Sequence, residues 1–442
     1  MKKAALHNLG CKVNAYETEA MQQMLEEAGY EIVPFSEKAD VYVINTCSVT
    51  NMADRKSRQM LHRAKKRNPD AAVVAAGCYV QTKEDEAKCD EAIDILIGNN
   101  QKKELVERLD AFFAGRGEKV EAVVDINHEK QAFEELTLDH AAEHTRAFIK
   151  VQDGCNQFCS YCIIPYARGK VRSRALKEVT EEARNLVAAG FKEIVLTGIN
   201  TALYGQDWKE EDGLSGVEKA VAAISAIEGD FRIRLSSLEP NVVDEETARR
   251  LTAYPKLCPH MHLSLQSGSD TVLRRMNRRY DVETYRRIVD VFRQFDPEFA
   301  VTTDIIAGFP GETEEEFEES LETIRRIGFS KVHAFKYSMR DGTRAAQMPD
   351  QISGNVKSLR VERMMELAER EANRFFERNI GKVRQVLFER YDEKTSMLTG
   401  FTDNYIHTCC RMPREQAEKF VNGFSDVLLK EIREGGLEGE IV

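Results

Sequence analysis

The chain has no uninterrupted apolar run approaching the roughly 20 residues that a membrane span requires. Its opening residues, MKKAALHNLGCK, carry two lysines, but the apolar stretch is broken by His7 and Asn8, which makes a poor secretory signal. Both points favour the cytoplasm. Basic residues are in deficit: 63 Lys and Arg stand against 74 Asp and Glu, a formal net charge of -11. That charge repels nucleic acid at long range, so an RNA partner would need local basic patches. No internal repeat of solenoid period and no low-complexity tract is present. With 42% hydrophobic and 31% charged residues, wholesale disorder is excluded as well. A disulfide framework is disfavoured, because ten cysteines in a long cytoplasmic chain stay reduced and serve better as metal ligands or catalytic groups.

A length of 442 residues implies about two to four domains. Apolar runs at 4–9, 41–45, 71–76 and 93–97 read as strands, with helical patterns at 17–28 and 54–66 between them. That alternation predicts a doubly wound parallel sheet with crossover helices over residues 1–115. Residues 116–143 are acidic and weakly periodic, as expected of a linker. A second α/β series occupies 144–378, with strands expected at 148–152, 193–197, 232–236, 262–266, 301–306 and 332–337 and helices such as 180–189 and 314–327. Six such units predict a partial (β/α)6 barrel. A long helical pattern at 356–378 stops before Gly381, and residues 379–442 lean towards β structure, a small barrel or half-barrel.

The strongest local signal is DGCNQFCSYC, which sets Cys155, Cys159 and Cys162 in C-x3-C-x2-C spacing directly after a predicted strand. Three thiolates on one loop suit three irons of a cubane cluster and leave the fourth iron without a protein ligand. Structural zinc is the competing reading, but such sites are usually closed by a fourth Cys or His, and none lies nearby. Buried core cysteines explain poorly why three fall within eight residues. The spacing resembles that of the radical S-adenosylmethionine enzymes. Resemblance implies that the open iron chelates the methionine amino and carboxylate groups, with reductive cleavage to a 5'-deoxyadenosyl radical. Further matches to that family's cofactor cradle fall at predicted C-terminal strand ends, the face on which α/β barrels build active sites. They are Thr197, Gly198 and Asn200 in LTGIN, Ser236 and Glu239 in RLSSLEP, Gln266 and Ser267 in LSLQSGS, and Asp304 and Gly308 in DIIAGFPGET. The plain alternative for a glycine after a strand is a turn.

Cys11, Cys47 and Cys78 each follow a predicted strand of the first sheet, at the same end. The carboxyl ends of adjacent strands form the usual ligand crevice of doubly wound sheets, so three loops there can gather three thiolates. Independent core cysteines would sit inside the strands instead. Two such triads in this order resemble the methylthiotransferases, radical enzymes that insert sulfur into a C–H bond and methylate it. The matching runs are LGCKVN, YVINTCSVT, AAGCYVQ, GCNQFCSYCIIPYARGKVRSR, LSLQSGS, GFPGETEEEF and GTRAAQMPDQ. The resemblance implies two 4Fe-4S clusters. One, on Cys155, Cys159 and Cys162, would generate the radical; the other, on Cys11, Cys47 and Cys78, would carry the sulfur. It also implies two S-adenosylmethionine molecules per product, an electron donor such as flavodoxin or ferredoxin, and a C-terminal RNA-gripping barrel of TRAM type. Residues 382–442 depart from the last expectation in holding more acidic than basic residues.

For the substrate, the family offers a tRNA adenosine beside the anticodon or an aspartate of a ribosomal protein. The run DRKSRQMLHRAKKR puts Met60, Leu61 and Ala64 on a narrow apolar stripe and leaves Arg55, Lys56, Arg58, Arg63, Lys66 and Arg67 outward, a face suited to phosphates or simply to water. Arg168, Lys170, Arg172, Arg174, Arg274, Arg275, Arg278 and Arg279 add basic clusters near the expected active face and favour RNA. Lys12 and Val13 after Cys11, with Tyr16 and Glu17 following, resemble the branch acting on N6-threonylcarbamoyladenosine in tRNA. The isopentenyladenosine branch reads Gln-Met there and the ribosomal-protein branch Pro-Lys. The alternatives are methylthiolation of a ribosomal protein and a non-catalytic iron-sulfur RNA-binding or redox protein. His260 and His262 share a strand face, where a structural or cofactor-lining role outweighs metal binding. Cys89, Cys258, Cys409 and Cys410 lack ligand-spaced partners and read as incidental thiols.

Overall fold

Strands that are apolar on both faces must be covered on both sides, and the first hundred residues obey this rule. In the computed structural model, which describes residues 1–115, 117–128, 131–138, 145–208 and 213–442, the strands are Lys3–Asn8 (β1), Glu31–Ile32 (β2), Val41–Thr46 (β3), Ala72–Gly77 (β4), Ile95–Ile97 (β5) and Val120–Ala122 (β6). They form one parallel sheet in the order β2-β1-β3-β4-β5-β6. Every residue of β3, β4 and β5 is buried. Alternate side chains serve opposite faces: Val41, Val43, Val74 and Ile95 pack under Met21 and Leu25 of helix Lys12–Glu27 (α1) and Leu105 and Leu109 of helix Leu105–Ala114. Tyr42, Ile44, Val73 and Leu96 pack under Leu61 and Ala64 of helix Asn51–Arg67 (α2). The chain winds from β1 out to β2 and then back across to β3, so the switch point lies between β1 and β3. Strand β6 falls in the segment expected to be a connection and extends the sheet beside β5. Helix α1 starts earlier than the apolar period indicates, because Cys11 occupies its N-cap position.

The second unit has strands Arg146–Asp153 (β7), Arg172–Ser173 (β8), Glu193–Gly198 (β9), Arg232–Leu235 (β10), Ser237–Leu238 (β11), His260–Leu263 (β12), Ala300–Ala307 (β13) and Lys331–Lys336 (β14). They run as β10-β9-β7-β8 and β11-β12-β13-β14, with only the short β8 antiparallel, and β10 and β11 are separated by Ser236 alone. This is the expected open α/β barrel. The third unit is a closed five-stranded barrel of Val383–Asp392 (β15), Met397–Thr402 (β16), His407–Arg411 (β17), Gly423–Arg433 (β18) and Gly436–Ile441 (β19). At the irregularity between the paired strands β15 and β16 a Cβ on Gly400 would lie 2.0 Å from the Leu387 carbonyl oxygen, which leaves room only for glycine. The loop between β16 and β17 docks against the N-terminal ends of the larger barrel's strands. Tyr405 lies 4.6 Å from the His260 ring and under the Arg234 guanidinium at 4.4 Å, and Arg232 donates to the Phe401 carbonyl. Among the described residues no helix is long and apolar enough to cross a membrane.

The first two units are joined by buried charge. Glu17 of α1 binds Lys150 at 2.7 Å, Arg168 at 2.8 Å and Lys102 at 3.1 Å, and Asp153 binds Lys150 at 2.6 Å and Arg168 at 3.1 Å. Asn14 completes the group by accepting from Arg168 at 2.6 Å. A second clamp is Arg340, which binds Asp54 at 2.7 Å, Asn51 at 2.6 Å and Ser48 at 3.0 Å. Arg168 is fully buried in the first network and so is no RNA contact, contrary to the sequence expectation. Burial by itself would raise the Glu17 carboxyl, but Arg168, Lys102 and Lys150 hold it well below the usual carboxylate range. A carboxyl held low stabilises the fold above its unfolded pKa of about 4.3 and loses that contribution as pH falls. Glu17→Gln is therefore expected to lower the stability of these two units by about 3–5 kcal/mol at neutral pH. Urea denaturation from pH 7 down to pH 3 should show a flatter pH dependence for the variant than for the parent.

Candidate functional site

Loops at a switch point are free to carry function, and three of them carry cysteines here. Cys11 N-caps α1 after β1, Cys47 follows β3, and Cys78 opens the short helix Cys78–Thr82 after β4. Gly10 takes φ +104°, and a Cβ there would stand 2.8 Å from the Cys47 sulfur, so glycine lets the first two loops close on each other. Burial pushes the Cys47 thiol up to about 12, with Cys78 and Cys11 adding repulsion. Cys11 is exposed as a residue, yet desolvation of its sulfur raises it too, against the pull of Arg168. Asn99 donates to the Cys78 sulfur at 3.4 Å and, through the same amide group, to the Ala167 carbonyl at 2.8 Å. Cys11 and Cys47, both held in the thiol form, need a cationic centre to become thiolates together beside Cys78.

Cys155, Cys159 and Cys162 sit on the loop after β7, all partly exposed. Gly154 makes the turn at φ +73°, where a Cβ would collide with the Lys170 carbonyl at 2.0 Å, and Phe158 adopts the left-handed φ of 47°. The loop is tied down by Cys155 N–H to Gly169 O and Ser160 N–H to Met276 O, both 3.0 Å. Burial pushes Cys155 up to about 12 and also raises Cys159 and Cys162. The only group of three His, Cys, Asp or Glu ligand atoms within 4.8 Å of one another, among the described residues, is His262, Asp304 and His333. Neither cysteine triad is that tight, whereas one tetrahedral zinc holds its thiolates about 3.8 Å apart. The wider spread fits cluster irons bound one by one.

Beside this loop, Glu239 accepts from Asn200 at 2.6 Å and from Arg278, which also donates to Tyr161 at 2.7 Å. Glu239 and Arg278 are within electrostatic reach of Cys155 and Cys159. Buried polar atoms are left without partners here: Thr197 Oγ1, Asn200 Oδ1, Thr201 Oγ1, Asn241 Oδ1 and Arg278 Nε. Such atoms are rare in folded proteins and mark a place for a polar ligand, which S-adenosylmethionine is. Thr197, Gly198 and Asn200 lie at the end of β9, and Ser236 at the joint between β10 and β11, in the same region. Arg278 and Asn241 were not singled out for this role in the sequence; Arg278 was hidden in an arginine-rich run, and Asn241 carries no motif.

Several expectations are corrected. Ser267 turns its hydroxyl to Ser320 of the outer helix Glu314–Ile327 and to the Ser269 amide, away from the lumen. Gly308, at φ +74°, donates its amide to Glu312, and a Cβ there would meet Lys357, so it is a turn residue against the helix Gly354–Asn379. Asp304 stands mid-strand and pairs with His262 at 3.3 Å, whereas Gln266, at φ +67°, donates its amide to the Asp304 carbonyl. Arg172 is buried on the Arg168 and Lys170 carbonyls, and Arg174 is buried against Glu182, so neither reaches RNA. Arg67 is half-buried on the Phe35 carbonyl, while Arg55, Lys56, Arg58, Arg63 and Lys66 of α2 are exposed. Arg275 is held by Glu316, which leaves Arg274 and Arg279 outward.

An open parallel α/β barrel with three loop cysteines under a polar cradle defines a radical S-adenosylmethionine enzyme. Residues 149–324 match the radical SAM superfamily, and residues 3–98 match an uncharacterized protein family, UPF0004. The chain is similar in fold to the radical S-adenosylmethionine methyltransferase TsrM of Kitasatospora setae, with a TM-score of 0.56 and 17% identity over 76% of this chain and 72% of that one. It is 41% identical, over 95% of its length and 93% of the relative's, to the threonylcarbamoyladenosine tRNA methylthiotransferase MtaB of Bacillus subtilis. It is 34% identical, over 98% and 91%, to the tRNA-2-methylthio-N(6)-dimethylallyladenosine synthase of Caldicellulosiruptor saccharolyticus. The chain belongs to the tRNA methylthiotransferase family of radical S-adenosylmethionine enzymes. It is an enzyme that transfers sulfur-containing groups, with [4Fe-4S] clusters and S-adenosylmethionine as cofactors. Cys47→Ala is expected to remove about half of the iron bound by the reconstituted protein, measured colorimetrically, while cleavage of S-adenosylmethionine, followed as 5'-deoxyadenosine, continues.

Proposed function

We propose that the protein converts the adenine C2–H of N6-threonylcarbamoyladenosine, beside the anticodon of tRNA, to its 2-methylthio form. It would act in the cytoplasm with an electron donor such as flavodoxin or ferredoxin. The observation that carries this reading is that one short helix links the loop of one triad to the surroundings of the other. Two residues after Cys162 the helix Ile164–Arg168 begins, about 7.5 Å long at 1.5 Å per residue. Its last residue, Arg168, lies within electrostatic reach of Cys11, Cys47 and Cys78. A substrate bound where the two units meet would have both triads on its walls. When bound, the two clusters and S-adenosylmethionine supply hydrogen abstraction, sulfur and the methyl group. Cys155, Cys159 and Cys162 would hold one cluster, and Cys11, Cys47 and Cys78 the other. Asn200, Glu239 and Arg278 would orient the cofactor, and Arg168 and Asn99 would keep the donor-site sulfurs anionic and in place. The identity to the threonylcarbamoyladenosine enzyme supports the choice of substrate over the dimethylallyl compound.

The exposed face of α2 begins four residues after Cys47 and offers Arg55, Lys56, Arg63 and Lys66 to the tRNA backbone, while Arg58 pairs with Glu86 at 3.6 Å. Lys56→Glu with Arg63→Glu should weaken tRNA binding and reduce the slope of log affinity against log salt by about 2, read by filter binding at several salt concentrations. The substrate is tested by nucleoside mass spectrometry of tRNA from cells lacking the protein and any redundant enzyme. Loss of the 2-methylthio form with accumulation of N6-threonylcarbamoyladenosine is expected, and an unchanged pool would refute the assignment.

A further inference from the structure

Strands β12, β13 and β14 lie side by side, and successive residues along them face opposite ways. Met261, Leu263, Val301 and Ile305 point outward and share a core with Ile288 and Ile324 of the covering helices Val282–Phe295 and Glu314–Ile327. His262, Thr302 and Asp304 therefore face the interior of the barrel. On β14, Val332 and Ala334 rest against the same outer core, so His333 also turns inward. Strand register makes them neighbours: His262 stands opposite Thr302, and Asp304 opposite His333.

One ligand atom from each of His262, Asp304 and His333 falls within 4.8 Å of the other two. The two imidazole centroids are 6.1 Å apart, and His262 Nε2 lies 3.3 Å from Asp304 Oδ2. Two imidazoles and one carboxylate on a rigid sheet are the three-ligand set of an open zinc or ferrous site. Magnesium and calcium favour shells made of oxygen, so the imidazoles select a transition ion instead. The surroundings supply an outer contact as well. His262 Nδ1 is 3.0 Å from Thr302 Oγ1, the kind of hydrogen bond that fixes the tautomer of a ligating histidine and aims its other nitrogen. With its proton on Nδ1, His262 turns the Nε2 lone pair towards a carboxylate oxygen, an arrangement that is repulsive until a cation stands between them. With its proton on Nε2, it simply donates to Asp304. Among the described residues the His333 ring has no hydrogen-bond or ion-pair partner, which leaves its nitrogens free to ligate.

We propose that His262, Asp304 and His333 bind one zinc ion inside the barrel, with an open coordination position directed at the chamber. Zinc suits this set because it imposes little geometry of its own and accepts three protein ligands with a fourth place free. The site is separate from both cysteine triads, since its three residues stand on strands and not on the cysteine loops. Its open position takes water or an oxygen of a bound guest.

The test uses the reconstituted holoenzyme, whose cysteine triads are filled by clusters, equilibrated anaerobically with zinc chloride and freed of loose metal by gel filtration. Zinc and iron are counted together by mass spectrometry, and the zinc ligands are read from K-edge X-ray absorption. About one zinc per chain is expected, with nitrogen and oxygen neighbours at about 2.0–2.1 Å and no sulfur at about 2.3 Å. His333→Asn should lose that zinc and keep its iron. Thr302→Val, which leaves all three ligands in place, should weaken zinc binding about 10- to 100-fold. Should the asparagine variant lose iron or fail to fold, the valine variant decides. A holoenzyme that retains no zinc leaves His262 and Asp304 as an ordinary hydrogen-bonded pair and overturns the site. Sulfur neighbours around the zinc, or zinc undiminished in both variants, overturn it equally.

Discussion

The burial of Glu17 is the constraint around which the two catalytic units are arranged. A single carboxylate, with no exposed surface, meets two lysines and an arginine drawn from both units, and Asp153 shares two of them. Such a group is unstable in any partial form, since loss of one partner while the units stay packed leaves an unpaired charge in a low dielectric. The sheet and the barrel therefore hold one fixed mutual pose. That pose sets the separation of the cysteine triads, because Arg168 is at once a member of the network and the neighbour of the donor-site thiols.

Electrostatics of the same kind shape the reaction chamber from within. Cys47 and Cys155 are pushed up by burial and by their neighbouring thiols, which makes them poor nucleophiles unless a metal centre draws off the proton. On the far side Glu193 gathers three arginines, and the orphaned polar atoms around Asn200 and Asn241 mark where a polar guest belongs. Acidic overall charge and a cationic interior coexist because the arginines are inside, where sequence counting cannot locate them.

The overall architecture was legible in the sequence where period and spacing speak together. The apolar runs of β3 and β4 are buried on both faces, and C-x3-C-x2-C needs no tertiary knowledge. The convergence of Cys11, Cys47 and Cys78 could also be read, since equal position at strand ends is a topological fact once the strands are parallel. What failed was the reading of charge. Arg168, Arg172 and Arg174 look like any basic run, and only the packing of β7 against α1 turns them inward to buried partners. Ser267 and Gly308 failed for a related reason: the loop after a strand can turn to the outer helices as easily as to the lumen, and motif position does not say which. Strand β6 was missed because three residues carry too little periodic signal.

The docking of the small C-terminal barrel, with Phe401 and Tyr405 seated over Arg232, Arg234 and His260, closes the end of the large barrel opposite the cysteine loops. The floor of the large barrel is then covered, while its wall stays open between the edge strands β8 and β14. Traffic is confined to the cysteine-loop end and that open flank, so a modified strand departs by the side from which it arrived and is never threaded end to end.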